Sequence, residues 1–254
     1  MSAPLPLTPW KRFVDRLGRP RKPRRRNPIR LVCFDLDGVL LEARSSWVTV
    51  HDHFGVANEA SLRAFLKGEI DDDEFIRRDV ALWLKARPDL RIDEIEHVLA
   101  KGARLVRGAL ATVRALQKAG VECAIVSGGI DLTAVATAER LGITRVSANG
   151  LTTDAHGRLT GAGVVRTPLG DKGAPVRRFA RELGVPLGAV ASVGNSGPDI
   201  AMFRVTALGI AFQPEDEFTI RGADVKVEGN DLRAILPHIL PKNHRAAPPR
   251  KGTD

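Results

Sequence analysis

The chain has 254 residues, of which 43% are hydrophobic, and this is enough for one sizeable α/β domain with a smaller insert. No apolar run approaches the roughly 18–20 residues that cross a bilayer. The basic N-terminus also lacks the apolar segment of a secretory signal. These features argue against a membrane-spanning or secreted chain, and they predict a cytoplasmic location.

The net charge of +9 belongs to the two ends of the chain. Residues 1–30 carry ten Lys or Arg and one acid, and residues 241–254 carry four Lys or Arg and one acid, which leaves a net charge of −3 for residues 31–240. The overall charge therefore gives no information about the substrate of the body.

The segments 1–28 and 241–254 hold too little apolar surface to offset the entropy of ordering, so we expect both to be disordered. Residues 8–16 could form one short helical turn. A basic arm of this kind would bind polyanions such as nucleic acid weakly and non-specifically. A solubilising tail is the simpler alternative.

The two cysteines, Cys33 and Cys123, lie in apolar runs that are typical of strands. We interpret both as small buried thiols. Their number and spacing indicate neither a disulfide framework nor a metal–thiolate site.

The body opens with the apolar run IRLVCF, which predicts a buried parallel strand. Apolar spacing near 3.6 then predicts helices at 45–55, 58–68, 71–86 and 92–102. Further along, helices at 109–119, 131–141 and 172–183 alternate with strands at 121–127, 145–149, 189–194 and 207–212, and a hairpin at 151–165 turns at His156-Gly157.

This alternation predicts a doubly wound parallel sheet of the Rossmann-like α/β class, formed by residues 29–41 and 109–240. Residues 42–108 are predicted to form a helical cap domain inserted after the first strand. Ligands bind beyond the carboxyl ends of the strands in such sheets. Four polar motifs follow four of the predicted strands.

The first motif is Asp35-Leu36-Asp37-Gly38. Two carboxylates this close repel each other unless a divalent cation binds between them or one is protonated. A strand that ends in an Asp/Gly turn would give the same pattern. The second motif, Ser127-Gly128-Gly129, offers a hydroxyl and free backbone N–H groups that suit an anion. A simple strand-to-helix turn is the alternative for this motif.

The third motif is Lys172, at the start of a predicted helix. A cation is unfavourable at that end of the helix dipole, so a negative partner such as a phosphate is indicated. A solvated lysine is the alternative. The fourth motif, Gly194 to Asp199, presents oxygens of Asn195 and Asp199 that suit Mg²⁺. Here an N-capping Asn or Ser is the alternative.

In this order, the four motifs resemble those of the haloacid dehalogenase superfamily, in its phosphoserine phosphatase-like branch. The resemblance runs from about Ile29 to about Ile239 and includes the helical cap. It implies that Asp35 attacks phosphorus to form an aspartyl-phosphate and that Asp37 serves as acid and base. The remaining implied site residues are Ser127 and Gly128 for the phosphoryl oxygens, Lys172 for charge neutralisation, and Asp35, Asp37, Asn195 and Asp199 for Mg²⁺.

The chain departs from the family pattern at two positions. Asn195 stands where the family usually has Asp, which removes a charge from the metal site. Arg44 stands where phosphoserine phosphatases place a glutamate for the substrate ammonium, whereas Arg77 matches the arginine that binds the substrate carboxylate. Solvated helix charge is the alternative for both arginines.

These features predict an enzyme that hydrolyses a small phosphomonoester, either phosphoserine or another phosphorylated small acid. Two alternatives stay open. One is a catalytically weakened, phosphate-binding regulatory protein with a nucleic-acid-binding arm. The other is a phosphotransferase that uses the same site.

Overall fold

The computed structural model describes residues 15, 23–24, 28–43 and 45–240. Within them, seven strands form one sheet in the order β4-β3-β2-β1-β5-β6-β7. The strands are β1 (Leu31–Phe34), β2 (Glu122–Ile130), β3 (Arg145–Thr153), β4 (Leu159–Val164), β5 (Val190–Gly194), β6 (Leu208–Phe212) and β7 (Val225–Val227). Adjacent strands are parallel except β3 and β4, which are antiparallel.

Helices cover both faces of the sheet, as the predicted α/β fold class requires. The α-helices are α1 (Ser46–Phe54), α2 (Glu59–Lys67), α3 (Asp72–Ala86), α4 (Ile92–Ala100), α5 (Ala109–Lys118), α6 (Asp131–Leu141), α7 (Gly173–Glu182), α8 (Ile200–Val205), α9 (Glu217–Gly222) and α10 (Leu236–Ile239). Short 3-10 helices cover Leu169–Asp171, Leu187–Ala189, Gly197–Asp199 and Leu232–Ile235.

The central strand β1 is buried on both faces. Because side chains alternate along a strand, Val32 and Phe34 pack against α5 and α6, while Leu31 and Cys33 pack against α7 and α8. All four side chains are inaccessible to solvent. The unbroken apolar run in the sequence is therefore the consequence of two helix layers.

The four helices α1–α4 follow β1 in the chain, as predicted. Trp83 and Val80 of α3 belong to an apolar cluster that joins α1, α3 and α4 to Ile130 of β2 and Leu159 of β4. A second cluster joins Phe65 of α2 to α8. Each helix starts and ends within two residues of its prediction. The doubly wound sheet with helices inserted after its first strand is thus confirmed.

Three strands differ from their predictions. The predicted strand at 121–127 continues to Ile130, so the second motif lies within it. The predicted strand at 145–149 continues to Thr153 because it forms the first arm of the hairpin. Strand β7 was not predicted, since its three residues are too few to show an alternation. Cys33 and Cys123 are buried free thiols, as expected, and burial raises the pKa of both.

The sheet topology reverses direction at β1 and β5. Chain order runs outward from β1 through β2 to β3 on one side and from β5 through β6 to β7 on the other. The crevice at such a switch point is where doubly wound folds bind ligands.

Several predictions lie outside the described residues: almost all of the basic arm with its possible helical turn, the C-terminal tail, and Arg44. No helix in the described ranges has the length and apolarity needed to cross a bilayer.

Candidate active site

The first motif forms a tight turn at the end of β1. Asp35 stays in register with the sheet, since its N–H donates to the carbonyl of Val193 in β5 at 2.9 Å. Gly38 has a φ of +77°, and a Cβ at this position would lie 2.1 Å from Nδ2 of Asn195. A larger residue would strain the backbone and displace the carboxamide. The turn therefore brings the first and fourth motifs into contact.

Lys172 lies between two carboxylates. Its Nζ is 2.8 Å from Oδ1 of Asp35 and 2.5 Å from Oδ1 of Asp199, and the residue is only 2% exposed. Burial alone would lower the pKa of Lys172, but the charges of Asp199 and Asp35 together outweigh it and raise this pKa. The ammonium stays charged, and the solvated-lysine alternative does not apply.

Asp199 uses both of its oxygens within the protein. While Oδ1 accepts from Lys172, Oδ2 accepts from the backbone N–H groups of Asn195 (2.9 Å) and Ser196 (3.0 Å) and from the Ser196 hydroxyl (3.2 Å). A Cβ on Gly194 would lie 2.4 Å from Asp199, so the loop is wound closely around this carboxylate. The fourth motif is thereby fixed relative to Lys172.

Burial is the largest influence on the pKa of both carboxyl groups of the first motif, and it raises both values. It raises the pKa of Asp35 to about 7, assisted by the charge of Asp199 and opposed by Lys172. It also raises the pKa of Asp37 to about 6, opposed mainly by the backbone N–H of Ser46. A carboxyl that can hold a proton near neutral pH is suited to donate it to a leaving group.

Two buried oxygens in the site accept no hydrogen bond from any residue that the structure describes: Oδ1 of Asp37 and Oδ1 of Asn195. A buried acceptor without a partner is costly in a protein interior unless an ion or water satisfies it. The carboxamide oxygen of Asn195 is of the type that suits Mg²⁺, whereas Oδ1 of Asp37 can carry a proton. The residues present therefore fit a hard divalent cation.

The acidic side chains of the site do not by themselves form a metal site. Across the described ranges, no group of three or more His, Cys, Asp or Glu is arranged to hold a metal. The candidate ligand oxygens here include the carboxamide of Asn195.

The second motif lies at the end of β2. Ser127 is 1% exposed, and its Oγ accepts from the N–H of Gly129 at 2.9 Å. The carbonyl of Gly128 accepts from Nε1 of Trp47 (3.0 Å) and from Nδ2 of Asn149 (3.1 Å). Residues of α1 and β3 thus hold this turn in place.

The predicted cap residues do not all reach the site. Arg77 is half-exposed on α3 and pairs with Asp73 and Glu74 of the same helix, each at 3.1 Å. Its predicted contact with a substrate carboxylate stays a prediction. Arg44 lies outside the described residues.

Three residues that were not predicted from the sequence also contact the motifs of the site: Ser46, Trp47 and Asn149. Asn149 donates from Nδ2 to Gly128 and accepts with Oδ1 from the N–H of Thr167 at 2.9 Å. Its place at the end of the predicted strand 145–149 was a usable signal. Ser46 and Trp47 begin an ordinary amphipathic helix, and nothing in the local pattern distinguishes them.

Comparison with known proteins identifies the family of the chain. The family of haloacid dehalogenase-like hydrolases matches residues 32–204. The chain therefore belongs to the haloacid dehalogenase-like hydrolases. Within that family it is a hydrolase of the phosphoserine phosphatase-like branch.

Three relatives illustrate this similarity. The chain is 31% identical over 214 residues to a phosphoserine phosphatase of Methanocaldococcus jannaschii, covering 83% of this chain and 97% of the relative. It is 32% identical over 187 residues to that of Streptomyces coelicolor, covering 72% of this chain but only 44% of the relative. A solved structure described as a phospho-aspartyl intermediate analogue of phosphoserine phosphatase superposes with a TM-score of 0.71 at 28% identity, covering 84% of this chain and 100% of that chain.

Proposed function

We propose that the protein is a magnesium-dependent phosphatase that hydrolyses a small phosphomonoester through an aspartyl-phosphate on Asp35. The observation that carries the proposal is the buried Lys172 ammonium, held between Asp35 and Asp199. Near it, Oδ1 of Asn195 has no partner in the described part of the chain and is available to a metal, while the unpartnered Oδ1 of Asp37 is available to carry a proton. A buried cation beside an oxygen that can bind a metal is suited to the dense negative charge of a phosphoryl group.

In the first step, a carboxylate oxygen of Asp35 attacks phosphorus as the bond from phosphorus to the ester oxygen breaks. Asp37 gives its proton to the departing alkoxide, which leaves as an alcohol. The hydroxyl of Ser127 and the backbone N–H of Gly128 hold phosphoryl oxygens. Lys172 neutralises charge on Asp35 and on the phosphate. Covalent catalysis thus divides one difficult displacement into two easier ones.

In the second step, Asp37, now a carboxylate, takes a proton from water. The water oxygen attacks phosphorus, and the bond between phosphorus and Asp35 breaks. Inorganic phosphate leaves, Asp35 is regenerated as a carboxylate, and Asp37 carries a proton again. Over the two steps, one phosphomonoester and one water molecule give one alcohol and one phosphate, and no other reactant is needed.

The proposed metal ligands are Asp35, the carbonyl of Asp37 and Oδ1 of Asn195. When bound, Mg²⁺ supplies positive charge that stabilises the phosphoryl oxygens. Asp199 was predicted as a further ligand from the sequence. Since both of its oxygens already accept hydrogen bonds, we propose instead that Asp199 positions Lys172 and the loop that carries Asn195.

The proposed substrate is phosphoserine or another phosphorylated small acid. The relatives named above are phosphoserine phosphatases. The substitution of a glutamate by Arg44 favours a more anionic substrate, with Arg77 as the partner of a carboxylate. Two further proposals rest on the sequence alone: a cytoplasmic location, and weak polyanion binding by the basic arm.

Hydrolysis of a panel of phosphomonoesters, with Mg²⁺ and with a chelator, tests the proposed function. We expect phosphate release that requires the metal, with phosphorylated small acids among the best substrates. A protein that binds these esters but releases no phosphate would be the catalytically weakened alternative. A phosphotransferase would instead accumulate a phosphorylated acceptor.

Asn195→Asp is expected to lower the Mg²⁺ concentration for half-maximal activity by about tenfold, because a carboxylate adds charge to the site. The new carboxylate would face Glu215, whose Oε1 lies 3.4 Å from Nδ2 of Asn195. The double variant Asn195→Asp/Glu215→Gln removes this repulsion and should bind Mg²⁺ at least as well. Activity and thermal stability are measured against Mg²⁺ concentration.

Asn195→Ala is the matched control for this prediction, since it removes the ligand oxygen and should weaken Mg²⁺ binding. If all three variants respond to Mg²⁺ like the natural sequence, Asn195 is not a ligand.

A further inference from the structure

We infer that Ser46 is a positioning residue whose backbone N–H holds the Asp37 carboxyl group in the orientation needed for proton transfer to the leaving group. This inference rests on the proposed function, in which Asp37 is the acid and base. Ser46 is the first residue of α1, and it is 2% exposed. The start of an inserted helix is thereby part of the catalytic geometry.

The contact divides the roles of the two Asp37 oxygens. Ser46 N–H donates to Oδ2 at 3.1 Å, while Oδ1 is buried and has no partner in the described ranges. One oxygen is therefore anchored, and the other is left for the reacting atoms. The donor is available because the first N–H groups of a helix have no acceptor within the helix.

The start of α1 is itself fixed to the phosphate-binding turn. Oγ of Ser46 accepts from the N–H of Ile130 at 2.8 Å, and Nε1 of Trp47 donates to the carbonyl of Gly128 at 3.0 Å. There is little free space, because a Cβ on Gly129 would lie 2.6 Å from the Ser46 hydroxyl. Ser46 and Trp47 thus fix the position of Asp37 relative to the phosphate-binding turn at Ser127-Gly128-Gly129.

Proton transfer to the leaving oxygen depends on the distance and direction of the donor. A carboxyl free to rotate would spend less time aimed at that oxygen. The contact with Ser46 therefore matters most when the leaving group needs a proton. Alkyl phosphates need it, whereas 4-nitrophenyl phosphate releases a stable phenolate without one.

Ser46→Pro and Ser46→Ala separate the backbone contact from the side-chain contact. Alanine loses only the hydroxyl that accepts from Ile130. Proline loses both contacts, and its ring occupies the direction of the lost N–H. Proline is well tolerated at a first helical position. Ser45 already has an extended backbone (φ −169°, ψ 134°), which suits a residue before proline.

The readout is kcat/KM in saturating Mg²⁺, which covers the steps up to phosphorylation of Asp35. Relative to Ser46→Ala, we expect Ser46→Pro to lower kcat/KM about 30-fold for phosphoserine and less than about threefold for 4-nitrophenyl phosphate. A merely structural loss would lower both values in parallel, and that result would overturn the inference while the phosphatase function stands. No hydrolysis of either ester by the natural sequence would overturn both.

A second measurement tests the contact even if Ser46→Pro fails to fold. In ¹⁵N-labelled protein, the amide proton of Ser46 should resonate downfield because it faces a carboxylate. Asp37→Ala should move it upfield, while Ser46→Ala in an otherwise natural chain keeps the downfield position. A Ser46 resonance that does not respond to Asp37→Ala would show that the contact is absent.

Discussion

Asp35→Asn is expected to reduce turnover at least about 10⁴-fold while the fold survives, because the change keeps the shape and removes only the nucleophile. The carboxamide oxygen can still accept from Lys172, which lies 2.8 Å from Oδ1 of Asp35 in the natural sequence. The measurement is steady-state hydrolysis of 4-nitrophenyl phosphate with Mg²⁺, together with mass spectrometry of rapidly quenched protein. A phosphorylated species should be detected only in the natural sequence.

Asp89→Asn is the matched control, since it makes the same chemical change on an exposed side chain that pairs with Arg87. It should leave turnover unchanged. Activity of Asp35→Asn close to that of the natural sequence would contradict an aspartyl-phosphate mechanism.

Asp35→Asn should also change how the stability of the protein depends on pH. In the metal-free protein, the pKa of Asp35 is raised from 3.8 to about 7. Between these values the unfolded chain binds fewer protons than the folded one, so this carboxyl lowers the free energy of unfolding as the pH rises from about 4 to about 7. Since Asn does not titrate, the variant should show a shallower loss of stability over that range.

Lys172→Met is expected to impair both stability and activity. It leaves the buried carboxylates of Asp35 and Asp199 without their cation, and breaking a buried ion pair in this way costs about 3–5 kcal/mol. Loss of the charge that faces the phosphoryl group should lower turnover at least about 10³-fold. Urea unfolding with a chelator and with Mg²⁺ measures the first effect, and steady-state kinetics measure the second.

Mg²⁺ should restore part of the lost stability, because a divalent cation replaces positive charge beside Asp35. Lys172→Met/Asp199→Asn removes one of the two uncompensated carboxylates, so it should recover stability but not activity. Lys226→Met is the control, since Lys226 is an exposed partner of Glu228 and its loss should leave stability nearly unchanged. A Lys172→Met protein as stable and active as the natural sequence would remove Lys172 from the proposed site.

The fold could be predicted because its signals are local. The apolar run of β1 follows from burial on both faces, and the spacing near 3.6 between residues 45 and 102 follows from single buried helix faces. The polar motifs could be placed together as well, since parallel strands end at one edge of the sheet. The three residues of β7 carry too little pattern to be recognised.

The sequence by itself determined which residue types gather at the strand ends: two aspartates, a serine with glycines, a lysine, and an Asn/Asp loop. Only the tertiary structure decided which oxygen has a partner and which does not. Asp199 accepts a hydrogen bond from Lys172, 27 positions away in the chain. Trp47 donates to Gly128 across 81 positions, and Asp72 accepts from the N–H of Leu169 across 97. Contacts of this kind depend on how packed layers bring distant backbone groups within about 3 Å, and neither composition nor periodicity records that distance.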